Sequence, residues 1–187
     1  MDFVIFRLHP PDFHFIIKMS PEQTECKICS LKSEMIFLDK IDATLLETLQ
    51  EDARVPIKTL TKKVFLSAPA ISARIEKLEK QGVIQSYQAV LDPIKLGYHI
   101  KAYINLQMSP SQKPEFYPFI RQCRNVLECD CVTGDYSMLI KVAYPSTAEL
   151  DTFIGQLQHF GATSTQIVFS TPVESRGVQV NAELAGS

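Results

Sequence analysis

The chain has 187 residues, 45% of them hydrophobic, which is enough for one or two domains with cores of useful size. No apolar run reaches the roughly 18–20 residues that a membrane span needs, and a net charge of −2 gives no global sign of nucleic-acid binding, so any such role must rest on local charge. Five cysteines, an odd number, fit reduced thiols in a cytoplasmic protein better than a disulfide framework.

Residues 1–37 differ in texture from the rest. Two apolar stretches, residues 3–9 and 13–19, are cut by Pro10, Pro11 and Pro21. No basic segment precedes the first stretch and no small-residue cleavage site follows, so a signal peptide is not expected. Cys26 and Cys29 have the spacing of half a zinc site, with His9 and His14 upstream, but a second tight pair is missing and no metal is assigned. Met35 directly precedes the first well-patterned element, so residues 1–37 read as an atypical extension, either a dispensable arm or a mis-assigned start.

From Leu38 the pattern sharpens. Leu38, Ile41, Leu45 and Leu49 form one apolar stripe at helical spacing, with Asp39 near the positive N-terminal end. Residues 56–81 then read as two short helices joined by a tight turn. Pro56 suits a first helical turn, and Ile57, Leu60 and Val64 share one face. Ser67 is an N-cap candidate ahead of a tolerated early Pro69. Ile71, Ile75 and Leu78 supply the buried stripe of the second helix, and Gly82 its stop, with Lys77 and Lys80 at the negative end of the dipole.

The other face of this second helix is the informative one. Ala68, Pro69, Ala70, Ser72 and Ala73 are small, and Arg74 and Lys77 lie just beyond them. A helix that enters a groove about 12 Å wide needs such a slim edge with donors behind it. Between residues 53 and 82, seven Lys and Arg, Lys62 and Lys63 among them, face two Glu, a local excess of +5 that suits phosphate contact. The plainer alternative is an ordinary helical hairpin with a solvated charged face. Residues 83–90 are β-prone and are a candidate for a short strand; Asp92, Pro93 and Gly97 mark residues 91–97 as a hinge.

After the hinge the period changes from helical to alternating. Ile100, Ala102, Ile104, Leu106 and Met108 alternate with polar residues, a strand with one buried face. Pro110 and Pro114 bracket a loop, and Phe116, Phe119, Ile120 and Cys123 then repeat at helical spacing. Residues 126–132 and 136–142 read as strands around Thr133, Gly134 and Asp135, a hairpin turn by composition. Pro145 and Ser146 open a helix carrying Leu150, Phe153, Ile154 and Leu157; Gly161 ends it, and residues 163–170 are a β-branched strand. The order βαββαβ predicts one antiparallel sheet with two helices on one face. In the tail, Val178 and Val180 are candidates to extend the sheet edge.

Four sets of residues carry a family resemblance. Leu38-Asp-Lys-Ile-Asp42 opening the first helix, Ser67 through Arg74-Ile-Glu-Lys-Leu-Glu79, and Gly82-Val-Ile-Gln-Ser-Tyr87 resemble the Lrp/AsnC family of bacterial and archaeal transcription regulators. Val132-Thr-Gly-Asp-Tyr136 before a Leu-Ile-Lys-Val strand resembles that family's effector-domain turn. Roughly residues 38–170 are covered in uninterrupted order. The resemblance implies an α+β protein: an N-terminal winged helix-turn-helix joined to a C-terminal ferredoxin-like βαββαβ effector domain. It also implies assembly as dimers and often octamers, with a small-molecule pocket where dimers meet. The sequence departs from the family at Phe65, where the turn usually has Gly, at Ser137, where a second Asp is common, and at Ile167. A bulky residue at Phe65 is strained if its φ is positive.

The resulting layout is an extension (1–37), a DNA-binding domain (38–90), a hinge (91–97), a ligand-sensing and oligomerisation domain (98–172) and a tail (173–187). Lys62, Lys63, Ser67, Pro69, Ala70, Ser72, Ala73, Arg74 and Lys77 are the expected contacts to double-stranded DNA, with Ser72 and Arg74 nearest the bases. Thr133, Gly134, Asp135, Tyr136, Ser137, Thr163 and Thr165 are the expected contacts to a small effector, an amino acid or a related metabolite. Neither a cofactor nor a membrane partner is expected. An enzyme on a ferredoxin-like fold is the second reading, but no Ser/His/Asp set, paired carboxylates or Gly-rich phosphate loop is visible. A small-molecule-binding or assembly module without DNA contact is the third.

Overall fold

The computed structural model describes residues 36–180 and, upstream, the backbone of two short antiparallel strands, β1 (Ile5–Arg7) and β2 (His14–Ile16). The expectations for the remainder of the N-terminal extension, Cys26 and Cys29 included, fall outside the described residues. The chain divides into two units, residues 1–88 with 176–187, and residues 89–175.

In the first unit, helix α1 (Lys40–Glu51) starts at a capping box. The Asp42 amide donates to Asp39 Oδ1 at 2.7 Å, and the Asp39 amide faces Asp42 Oδ2 at 3.4 Å, so two otherwise orphaned donors at the helix start have acceptors. Helix α2 (Ile57–Val64) follows Pro56, which sits at the N-cap, and helix α3 (Ala68–Lys80) follows Ser67. The Ser67 side chain makes no capping hydrogen bond; only its backbone takes the N-cap role. Leu45, Leu60 and Ile71, one from each helix, form a small core, with Ile41, Val55, Val64, Leu66 and Ile75 packed around it.

The end of α3 is a Schellman closure: the Gly82 amide donates to the Glu79 carbonyl and the Val83 amide to the Leu78 carbonyl, with Gly82 at φ +72°. Val83 and Ile84 are thereby drawn back onto the helix, and no strand forms in residues 83–90. The candidate strand, and with it a β wing, is not present among the described residues. The tail also departs from expectation. Residues 176–180 lie with the first unit, and the Val178 carbonyl accepts from Gln50 Nε2 of α1 at 3.1 Å, so Val178 does not extend the sheet.

The second unit is the βαββαβ element: β3 (Ile100–Met108), α4 (Lys113–Gln122), β4 (Val126–Cys131), β5 (Met138–Tyr144), α5 (Thr147–Leu157) and β6 (Gly161–Ile167). All neighbours pair antiparallel in the order β4-β5-β3-β6, so the first and third strands of the unit are central. The alternation of β3 becomes one buried face, where Ala102, Ile104, Leu106 and Met108 join Met138, Ile140 and Val142 beneath Phe116 and Ile120 of α4 and Leu150, Phe153 and Leu157 of α5. Pro114 is not a loop boundary but sits in the first turn of α4, where a missing amide is tolerated.

Gly161 opens β6 rather than merely ending α5, and it does so against the backbone of β3. A Cβ placed there would lie 1.9 Å from the Gln107 carbonyl oxygen, at φ +154°, so only glycine fits this approach. Register puts Tyr103, Asn105, Glu128, Asp130, Leu139, Lys141, Ser164 and Gln166 on the other face of the sheet. Lys141 and Glu128 form an ion pair there at 3.6 Å.

Candidate functional site

The first site is the outer surface of α3. Burying Ile71 and Leu78 turns Pro69, Ser72 and Ala73 outward, together with Ser67, Ala68 and Lys77; Ala70 is half-buried. The exposed edge is narrow because those side chains are small. Lys62 and Lys77 are exposed cations with no carboxylate partner among the described residues, whereas Lys80 is paired with Glu76 one turn earlier. Lys63 is held differently: its Nζ donates to Thr48 Oγ1 of α1 at 2.7 Å.

Arg74, expected nearest the bases, is tied to the start of α1. Its Nη1 lies 2.7 Å from Asp39 Oδ2 and 2.7 Å from Asp42 Oδ1, so the guanidinium is engaged with the capping box of α1. The Asp42 side chain is only 9% exposed, that of Arg74 32% and that of Asp39 50%, so the cluster runs from the domain interior to its surface. Hydrogen bonds from Arg74 to Asp42 and then Asp39 strengthen the hold of the guanidinium on its proton. At Asp39, burial works against ionisation, but the Asp42 amide and Arg74 outweigh it and hold the carboxyl below its ordinary range. Pairing to residues 32 and 35 positions away has no local sequence signal; the legible clue was the Asp39 and Asp42 spacing at a helix start.

The turn before α3 carries a feature that the sequence raised as a departure. Phe65 adopts φ 55°, ψ 37°, the left-handed region, and is 90% exposed. No other non-glycine described residue has a positive φ.

The second candidate site lies at one end of the sheet. The Val132 amide donates to the Ser137 carbonyl across the β4–β5 turn, and the Ser137 amide donates to the Leu106 carbonyl. The Ser137 hydroxyl donates to the Met108 carbonyl and accepts from the Met108 amide, both at 3.0 Å. Ser137 therefore ties the turn to the end of β3, and its hydroxyl is already occupied. Thr133, Gly134 and Asp135 are exposed, Tyr136 is half-buried, and the amides of residues 133–135 have no hydrogen-bond partner among the described residues. Thr163 lies opposite Leu106 from the β6 side, and Thr165 opposite Ile104, two residues further from that end. The turn and Thr163 thus converge on the last residues of β3 from its two neighbours, while Thr165 stands farther inside.

Among the described residues no three His, Cys, Asp or Glu side chains group closely enough to hold a metal ion. No described helix is long and apolar enough to cross a membrane.

Comparison with known proteins joins the two sites in one architecture. Residues 38–79 match the AsnC-type helix-turn-helix domain, and residues 101–178 match the Lrp/AsnC ligand binding domain. The chain is 32% identical over 146 residues to the HTH-type transcriptional regulator FL11 of Pyrococcus furiosus, a match spanning 76% of this chain and 97% of that protein. The structure of LrpC from B. subtilis superposes with a TM-score of 0.71 at 26% identity, covering 75% of this chain and all of that one. The feast or famine regulatory protein of M. tuberculosis, complexed with L-methionine, superposes with a TM-score of 0.72 at 26% identity, covering 76% of this chain and 99% of the other. With an AsnC-type helix-turn-helix ahead of a βαββαβ ligand-binding domain, this chain belongs to the Lrp/AsnC family of DNA-binding transcriptional regulators.

Proposed function

We propose that this regulator acts in the cytoplasm as a homodimer or a larger assembly such as an octamer, and that an amino acid bound at the sheet end sets its activity on DNA. In this reading α3 enters the major groove, with Pro69, Ser72 and Ala73 against base edges and Ser67 and Ala70 flanking them. Lys62, Lys63 and Lys77 lie toward phosphates. Arg74 holds α3 against α1. The observation that carries this reading is that Lys62 and Lys77, exposed and without a carboxylate partner among the described residues, stand beside the exposed small-residue edge of α3.

The effector half rests on the three unpartnered amides of residues 133–135, which suit an α-carboxylate, and on the Asp135 carboxylate, which suits an α-ammonium. Tyr136 and the hydroxyls of Thr163 and Thr165 complete the side, and Ser137 positions the turn. Similarity to an L-methionine-complexed regulator supports an amino acid as the ligand class. Two-fold pairing through the outer sheet face, burying Tyr103, would supply a second half-site reader, since a three-helix unit spans only one.

The test is thermal unfolding of the full chain against a panel of amino acids, because a ligand that binds only the native state raises stability by an amount that grows with the logarithm of its concentration over Kd. An amino acid that raises the wild-type Tm and leaves Asp135→Ala unmoved supports the assignment. A response by Asp135→Ala at unchanged affinity refutes it. Light scattering that shows a monomer at micromolar concentration refutes the dimer.

A further inference from the structure

Phe65 is unfavourable twice over in the free protein. An L-residue in the left-handed region brings its Cβ against the following carbonyl, which is why glycine usually fills such turns. The ring is 90% exposed and belongs to neither apolar cluster of the described residues. Glycine at this position would relieve both penalties, so nothing described in the fold calls for the ring.

Its place in the chain indicates a use. Phe65 caps the C-terminus of α2 and lies two residues before Ser67, the N-cap of α3. Leu66 packs against the small core and anchors the turn, while Ser67, Ala68 and Pro69 are exposed and too small to screen the ring. In helix-turn-helix proteins the N-terminal residues of the second helix meet the base edges. A benzyl ring has no donor to offer a phosphate, and that role already has Lys62 and Lys77. On the major-groove edge, the feature that matches an apolar ring is the C5-methyl group of thymine.

We propose that Phe65 is a specificity-determining residue that packs against one thymine methyl in each half-site. This inference rests on the reading that the N-terminal end of α3 faces the major groove. It does not require Arg74 to touch a base.

The experiment uses the full chain and a duplex selected from a random pool by the wild-type protein. Each thymine is replaced singly by deoxyuridine, which removes only the C5 methyl. Wild type is expected to lose about fourfold in affinity at one position per half-site, the worth of one buried methyl-sized group. Phe65→Gly and Phe65→Asn, which relax the backbone, should unfold at higher temperature, bind the thymine duplex about fourfold more weakly per half-site, and ignore the deoxyuridine change. Phe65→Leu keeps an apolar side chain and should retain part of the discrimination. Equal deoxyuridine profiles for wild type and Phe65→Gly overturn the proposal, as does a change of oligomeric state in Phe65→Gly, which would assign the ring to a protein contact. Lys62→Ala and Lys77→Ala separate the two levels. If they flatten the salt dependence while the methyl effect is missing, only the Phe65 role fails; if they leave it unchanged, the groove reading fails with it.

Discussion

Replacing Arg74 with Met keeps an aliphatic stem of similar length and removes the charge between α1 and α3. The Asp42 carboxylate, 9% exposed, then loses its cationic partner and keeps only the weak contact from the Asp39 amide at 3.4 Å. Breaking one partner of a fully buried pair costs about 3–5 kcal/mol, whereas an exposed pair contributes about 0–1 kcal/mol. With Arg74 32% and Asp39 50% exposed, the Asp39 arm belongs near the low end and the Asp42 arm between the limits. The expected loss is about 2–3 kcal/mol, which is about 10 °C or more in the melting of so small a unit. Asp42→Asn can retain the capping geometry without the charge, so Arg74→Met should cost less in that background, by about 1–2 kcal/mol of coupling. Thermal unfolding of the four proteins of this cycle at pH 7 measures the effect. At temperatures where Arg74→Met is folded, its DNA sequence preference should match wild type. A variant that melts within about 1 °C of wild type yet loses specific DNA binding would show that Arg74 leaves α1 to read a base, and the clamp would be refuted.

Further outcomes follow from the same geometry. Asp39 is held below its ordinary range, so its contribution to stability is present above the unfolded value of about 4 and is lost as pH falls through the folded one; acid titration of Tm should therefore be flatter in Arg74→Met. Gly161→Ala should destabilise the second unit by about 2 kcal/mol or more, read by denaturant unfolding, because its Cβ would displace the β3 backbone at Gln107. Ser137→Ala leaves the Met108 amide and carbonyl without their shared hydroxyl and should cost about 1–2 kcal/mol in the same assay. Lys77→Ala and Lys62→Ala should each reduce the slope of log affinity against log salt by about 1, with little change in sequence preference.

What the sequence determined by itself is what depends on local period. The alternation from Ile100 to Met108 can bury only one face, so the sheet side was legible from residue types. The small edge of α3 was legible for the same reason: Ile71 and Leu78 must go inward, which turns Pro69, Ser72 and Ala73 out. The strain at Phe65 was legible only as a condition, through the resemblance that places a glycine there; the positive φ itself came from the structure. The tertiary structure decided the partners of groups that can bond in more than one place. Arg74 meets acids 32 and 35 residues away, and the Ser137 hydroxyl meets Met108 29 residues away; neither separation leaves a periodic trace. Residues 83–90 have strand composition but no ladder partner, and the amides of Val83 and Ile84 are taken by the Leu78 carbonyl instead. β-propensity records how a side chain fits a half-buried sheet surface, and a strand exists only where a neighbour offers its own amides and carbonyls at the right spacing. That neighbour is supplied by the fold, and so the ends of elements, the ion-pair partners and the place of the tail were settled in three dimensions.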